Sequence, residues 1–181
     1  MGGHKSWPQL APRHTACSEC IREASGINVM IPQLILSIAI CMAAALVGSL
    51  WTTPALAPWY AGLSKPAWTP PNWLFGPVWT ALYLMMAVSA WLVWRRTGLA
   101  SVPIALFTIQ LLLNVAWSGI FFRLRSPGGG FADIVLLWLA IAATLISFWP
   151  VSPIAGWLLV PYLVWVSYAS ALNFSIWRRN A

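Results

Sequence analysis

The stretch "WYAGLSKPAWTPPNWLFGPVWTALY", Trp59 to Tyr83, sets Trp59, Trp68, Trp73 and Trp79 among Pro66, Pro70, Pro71 and Pro77. It lies between two strongly apolar runs, yet its residues are too rigid and too aromatic for a passive connector. Its second half, "LFGPVWTALY", already has the character of the run that follows. Working outward from it, runs of about 20 apolar residues recur, each long enough to cross the hydrocarbon core as a helix. They lie at about Ile31–Leu50, Gly76–Trp94, Val102–Phe122, Phe131–Trp149 and Ile154–Ile176. "RRTG" at 95–98, "RLRSPGGG" at 123–130 and "PVSP" at 150–153 punctuate the last four.

Composition supports this reading. Of 181 residues, 60% are hydrophobic and 7% charged, with a mean hydropathy of +0.77. A soluble domain carries roughly 25% charged residues. In lipid every backbone polar group needs an internal partner, which leaves helices as the form for such runs. The sequence therefore predicts an all-α integral membrane protein, a single five-transmembrane-helix bundle over 29–181, preceded by a mobile tail at 1–28. No internal repeat supports an inverted-repeat transporter.

The net charge of +7 does not indicate nucleic-acid binding, because the basic residues are scattered over the tail and short loops. They suit anionic lipid headgroups. Lys5, Arg13, Arg22, Arg95 and Arg96 fall on one side; Lys65, Arg123, Arg125, Arg178 and Arg179 fall on the other. The positive-inside comparison ties and leaves orientation open. In the tail, His14, Cys17 and Cys20 form half of a metal or redox motif whose second half is absent, with His4 as the remaining candidate ligand. No metal site is expected. Cys41 reads as a small core residue.

The spans hold no Glu, Lys, Arg or His in their interiors. That removes the usual coupling group of proton-driven transport and the usual kit for acid–base catalysis. Asp133, three residues after "GGG", reads as a first-turn acid complementing the helix dipole. What the interior offers is uncharged. Gln110, Asn114, Trp117, Ser118 and Phe121 share one stripe of the third helix. Trp165, Ala169 and Asn173 share one on the fifth, with Tyr168 and Leu172 alongside, and Trp79, Tyr83 and Met86 align on the second. Such polar groups can simply bond helix to helix; that competes evenly for Gln110 and Ser118. Trp79, Asn114 and Trp165 read better as pocket lining, since an indole gives a flat face and one donor. Trp51, Trp91, Trp94, Trp149 and Trp177 sit near helix ends, as an interfacial aromatic belt requires. Ala44–Gly48 and Ala45–Ser49 have the spacing of a close helix contact or dimer face.

Three motifs carry a resemblance: "WYAGLSKPAWTPPNWLFGPVWTALY", "QLLLNVAWSGIFF" and "LLVPYLVWVSYASALNFSIWRRN". With them, the chain from about Pro32 to Asn180 resembles the translocator protein family, also called tryptophan-rich sensory proteins or peripheral-type benzodiazepine receptors. The resemblance implies a five-helix bundle, commonly a homodimer, with a pocket closed by the loop between the first two helices. It implies tetrapyrrole ligands such as protoporphyrin, sterols in animal members, and synthetic carboxamides and benzodiazepines, with no cofactor. Carried over residue by residue, the pocket takes Tyr60, Pro70, Trp79, Tyr83, Asn114, Trp117, Ser118, Trp165 and Ala169. The residues matching Trp79 and Asn114 can bond a ligand carbonyl in the family. Those matching Trp79 and Trp165 are implicated in light-dependent porphyrin breakdown. Phe174 stands where animal members have the tyrosine of a sterol-recognition pattern, which favours a tetrapyrrole over a sterol. A binding and sensing protein ranks first, a transporter of the same ligands second, and a porphyrin-degrading enzyme third. The close fit to the bacterial motif pattern points to a bacterial membrane.

Overall fold

The computed structural model describes residues 14–181, with side chains from Met30 onward. His4 lies outside the described residues, and the side chains of His14, Cys17 and Cys20 do too. Two units divide the chain, Met1–Pro32 and Gln33–Ala181. The described helices are α1 (His14–Leu56), α2 (Asn72–Thr97), α3 (Val102–Ser118), α4 (Pro127–Phe148) and α5 (Pro153–Asn180). Five of these segments are long and apolar enough to span a membrane, α1 through Met30–Leu56. No strand occurs among the described residues.

Helix starts differ from expectation where proline or glycine reads as a breaker. The second helix begins at Asn72, not Gly76, with Pro71 in the extended conformation at its N-cap. The fourth begins at Pro127, not Phe131: the Ser126 hydroxyl accepts the Gly129 N–H, and proline occupies the first turn, where it has no N–H to lose. Glycines 128–130 are thus helical. Their lack of a side chain is used for packing, because a Cβ on Gly128 would lie 2.9 Å from Trp177 Nε1 and one on Gly130 2.9 Å from Phe121 Cδ2. This start corrects the reading of Asp133. It stands in the second turn, is buried, and its Oδ2 has no hydrogen-bond partner. Ser152 caps α5 in the same way as Ser126, through the Ala155 N–H.

A π-helical turn, Gly119–Arg123, ends the third span. The consecutive residues Phe121 and Phe122 of this turn are both buried. Helix α4 packs closely on α5 and α3, and α2 packs on α5. Contact with α1 is made by side chains. The Ser37 hydroxyl donates to the Ala87 carbonyl of α2 at 2.8 Å. A Cβ on Gly119 would lie 3.0 Å from the Trp51 ring, and one on Gly48 3.1 Å from Ser118 Oγ. Cys41 is buried, as a small core residue should be. The expected belt residues pack near helix ends: Trp91 under Arg95, Trp51 near Arg123, and Trp149 against Trp157.

Candidate functional site

A cavity of about 550 Å3 lies between α1, α2, the end of α3 and α5, beneath the loop that precedes α2. Tyr83, from α2, closes its deep end. Its hydroxyl donates to Asn114 Oδ1 at 2.6 Å, and Asn114 Nδ2 donates to the Tyr162 hydroxyl at 2.6 Å. One carboxamide thus bonds two phenols and ties α2, α3 and α5 at mid-depth. The Trp79 ring rests against both tyrosines, with centroids 5.9 Å from Tyr83 and 6.3 Å from Tyr162.

The α3 wall is built on Trp117. Its Nε1–H donates to Asn173 Oδ1 at 3.0 Å, and Asn173 Nδ2 donates to the Pro127 carbonyl at 2.7 Å. That chain fixes the indole plane from three elements, and Phe121 stacks on it at 5.5 Å. Trp79 differs: it lines the cavity, and among the described residues its Nε1–H has no acceptor.

The loop forms a cover. Tyr60, in the short 3-10 turn Tyr60–Gly62, is buried against Phe121 and Phe122. Burial, with the nearby Tyr168 phenol adding to it, pushes the Tyr60 hydroxyl up to about 12. Lys65 Nζ donates to the Tyr60 and Ala61 carbonyls and sits 4.7 Å from the Tyr60 ring centroid. Two contacts fasten the cover to α5. The Ser64 N–H donates to Asn180 Oδ1 while Asn180 Nδ2 donates to the Ser64 carbonyl, both at 3.0 Å. The Tyr168 hydroxyl donates to the Trp68 carbonyl at 2.8 Å. Of the cover tryptophans, Trp59 packs on Phe121, whereas Trp68 and Trp73 are exposed.

Of the nine residues expected in the pocket, Tyr60, Trp79, Tyr83, Trp117, Ser118 and Ala169 line the cavity together. Asn114 stands behind Tyr83 and reaches the cavity through it. Trp165 does not line it; its ring meets Phe75, which does, at 6.0 Å. The Trp165 Nε1–H is buried with no acceptor. Pro70 is half-buried in the cover, away from the lining. Sequence reasoning missed the α1 wall, including Met42, Gly48 and Thr52, because α1 shows no aromatic or polar stripe. Its one signal is the small-residue spacing around Gly48. Tyr162 was missed as well, although a buried tyrosine needs a partner for its hydroxyl and Asn114 is the nearest polar residue to supply one.

Among the residues whose side chains are described, no group of three or more His, Cys, Asp or Glu is placed to hold a metal ion. A second concavity, about 440 Å3, runs along the outer face of α4 and α5 past Trp138 and Phe174. Phe174 is exposed there and lies against Phe131, its ring tilted by 49° at 5.1 Å.

Comparison with known proteins agrees with this architecture. The model of the TspO/MBR family matches residues 37–178. The "Tryptophan-rich protein TspO" of Chlorobaculum tepidum is 46% identical over 158 residues, 85% of this chain and 99% of that protein. The human "Translocator protein" is 47% identical over 126 residues, 67% of this chain and 75% of that protein. The "Tryptophan-rich sensory protein" of Cereibacter sphaeroides is 37% identical over 143 residues, 79% and 88% of the two chains. Five apolar spans, an aromatic cavity under a tethered cover, and these similarities together make the chain a multi-pass integral membrane protein of the TspO/MBR family.

Proposed function

We propose that the cavity is a receptor site for a flat, largely apolar tetrapyrrole of the porphyrin class, and that the protein senses such ligands in the membrane. The observation that carries this is the Trp79 indole, which lines a cavity of about 550 Å3 and whose N–H has no acceptor among the described residues. Cavities of this size suit small-molecule ligands, and few, well-placed polar groups orient them. Tyr60, Tyr83, Trp117 and Phe121 add further aromatic surface. A macrocycle would stack on these rings, and one of its polar groups would accept the Trp79 N–H.

Trp165 stands outside the lining and would act on a ligand only through Phe75, so light-dependent degradation has less support than binding. Homodimer formation belongs to the same proposal and is read by the mass of the purified protein in detergent. Binding is tested by titrating purified protein with protoporphyrin and following tryptophan fluorescence. Saturable quenching is expected. Trp79→Phe should weaken affinity about tenfold, the equivalent of one lost hydrogen bond of about 1.4 kcal/mol, while Trp165→Phe should change it less. Equal affinity in wild type and Trp79→Phe would refute this placement of the ligand.

A further inference from the structure

The lining of the cavity divides by exposure. Every lining residue from α3, the π turn and α5 is buried. The exposed ones come only from α1, as Leu46, Ser49 and Thr53, or from the first turns of α2, among them Trp73, Gly76 and Thr80. Both triplets have the spacing i, i+3, i+7, which places each on one edge of its helix. The two edges therefore frame a slot between α1 and α2. A Cβ added at Gly76 would meet no atom within 4 Å.

Hydrogen bonds tie two other sides of the cavity. Towards the far end of the bundle, Ser37 ties α1 to Ala87 of α2. On the loop side, Asn180 and Tyr168 hold the cover down. The slot lies within the apolar spans Met30–Leu56 and Asn72–Thr97, so it faces hydrocarbon. Two of the three rim hydroxyls are satisfied within their own helix: Ser49 donates to the Leu46 carbonyl and Thr80 to the Gly76 carbonyl, both at 2.9 Å, while Thr53 has no such bond among the described residues. Hydroxyls satisfied this way make no demand on a passing molecule, whereas unpaired ones in lipid would be costly.

We infer that the slot is a lateral portal through which an apolar ligand dissolved in the bilayer enters the cavity between α1 and α2, with the cover remaining closed. The inference rests on the tetrapyrrole-receptor reading and adds the route. The ligand partitions into lipid first, so the membrane and not the aqueous phase sets the concentration the site experiences. A side chain placed on the rim then acts as a gate: it slows entry and exit alike and leaves the bound state nearly unchanged.

The test uses full-length protein in phosphatidylcholine vesicles loaded with protoporphyrin, with porphyrin fluorescence followed after rapid mixing. Thr80→Phe and Ser49→Phe plug the slot from opposite edges; Asn180→Ala and Tyr168→Phe loosen the cover. The plugs should lower association and dissociation rates together, each about tenfold, leaving Kd within about threefold. The cover variants should associate at the wild-type rate. Wild-type association in both plugged proteins would overturn the portal, as would faster association in the cover variants. Loss of equilibrium binding in the plugged proteins would make the rim a wall and also overturn it. No saturable binding by the wild type would defeat the receptor reading, and the portal with it.

Discussion

The Tyr83 hydroxyl donates to the Asn114 side-chain oxygen at 2.6 Å, and this bond sets the depth at which the cavity ends. Asn114 has spent its other end on Tyr162, so neither half of the carboxamide is free. Asn114→Ala would strand two buried phenols at once. A loss of about 2–4 kcal/mol is expected from two unmade buried bonds, seen as a lower melting temperature in detergent. Tyr83→Phe removes only one bond and should cost about 1–2 kcal/mol.

Gly130 is required by packing. A Cβ there would lie 2.9 Å from Phe121 Cδ2 and 3.1 Å from Asn173 Oδ1. Gly130→Ala should destabilise by about 1–3 kcal/mol through overpacking, and it should disturb the Asn173 bond that holds Trp117. Gly62→Ala is the control, because nothing lies within 4 Å of a Cβ at that position. Its melting temperature should match the wild type.

Asp133 is buried with an unpartnered Oδ2. A group buried that way does not hold its helix in place, so Asp133→Asn should leave stability unchanged or raise it by about 1 kcal/mol. A fall of more than about 2 kcal/mol would show that the carboxylate has a partner of its own.

Tyr60 predicts an alkaline limit for the cover. Its hydroxyl is raised from the ordinary 10 to about 12, chiefly by burial. Between those values the unfolded chain gives up the proton and the folded one keeps it, so the unfolded state binds fewer protons and stability falls as pH rises. The contribution is whole below about 10 and is lost as pH passes through about 12. Tyr60→Phe should flatten this part of the profile when melting is followed across the same range.

The five spans were legible because a run of about 20 apolar residues has few alternatives to a membrane helix. The helix starts were not, since Pro71–Asn72 and Ser126–Pro127 look like breakers until the cap is recognised as a beginning. Helical periodicity found Trp79 and Tyr83 on one face and Trp117 and Ser118 on another, and all four line the cavity. Periodicity cannot tell a lining residue from one a layer behind it. That distinction separates Tyr83 from Asn114 and Phe75 from Trp165. The α1 wall left little trace, because a surface of Ala, Gly, Ser and Thr has the composition of any closely packed span. The π turn left none.

That turn has a consequence for how the chain tolerates changes in length. Five residues, Gly119–Arg123, follow a coil that holds one more residue than α geometry needs. A deletion there would tighten the helix instead of breaking it, so α3 would survive the loss of a residue. Because the wide turn absorbs its extra residue, everything after the deletion would keep its rotational phase. The length of this turn can therefore change by one residue without re-aiming the segment that follows.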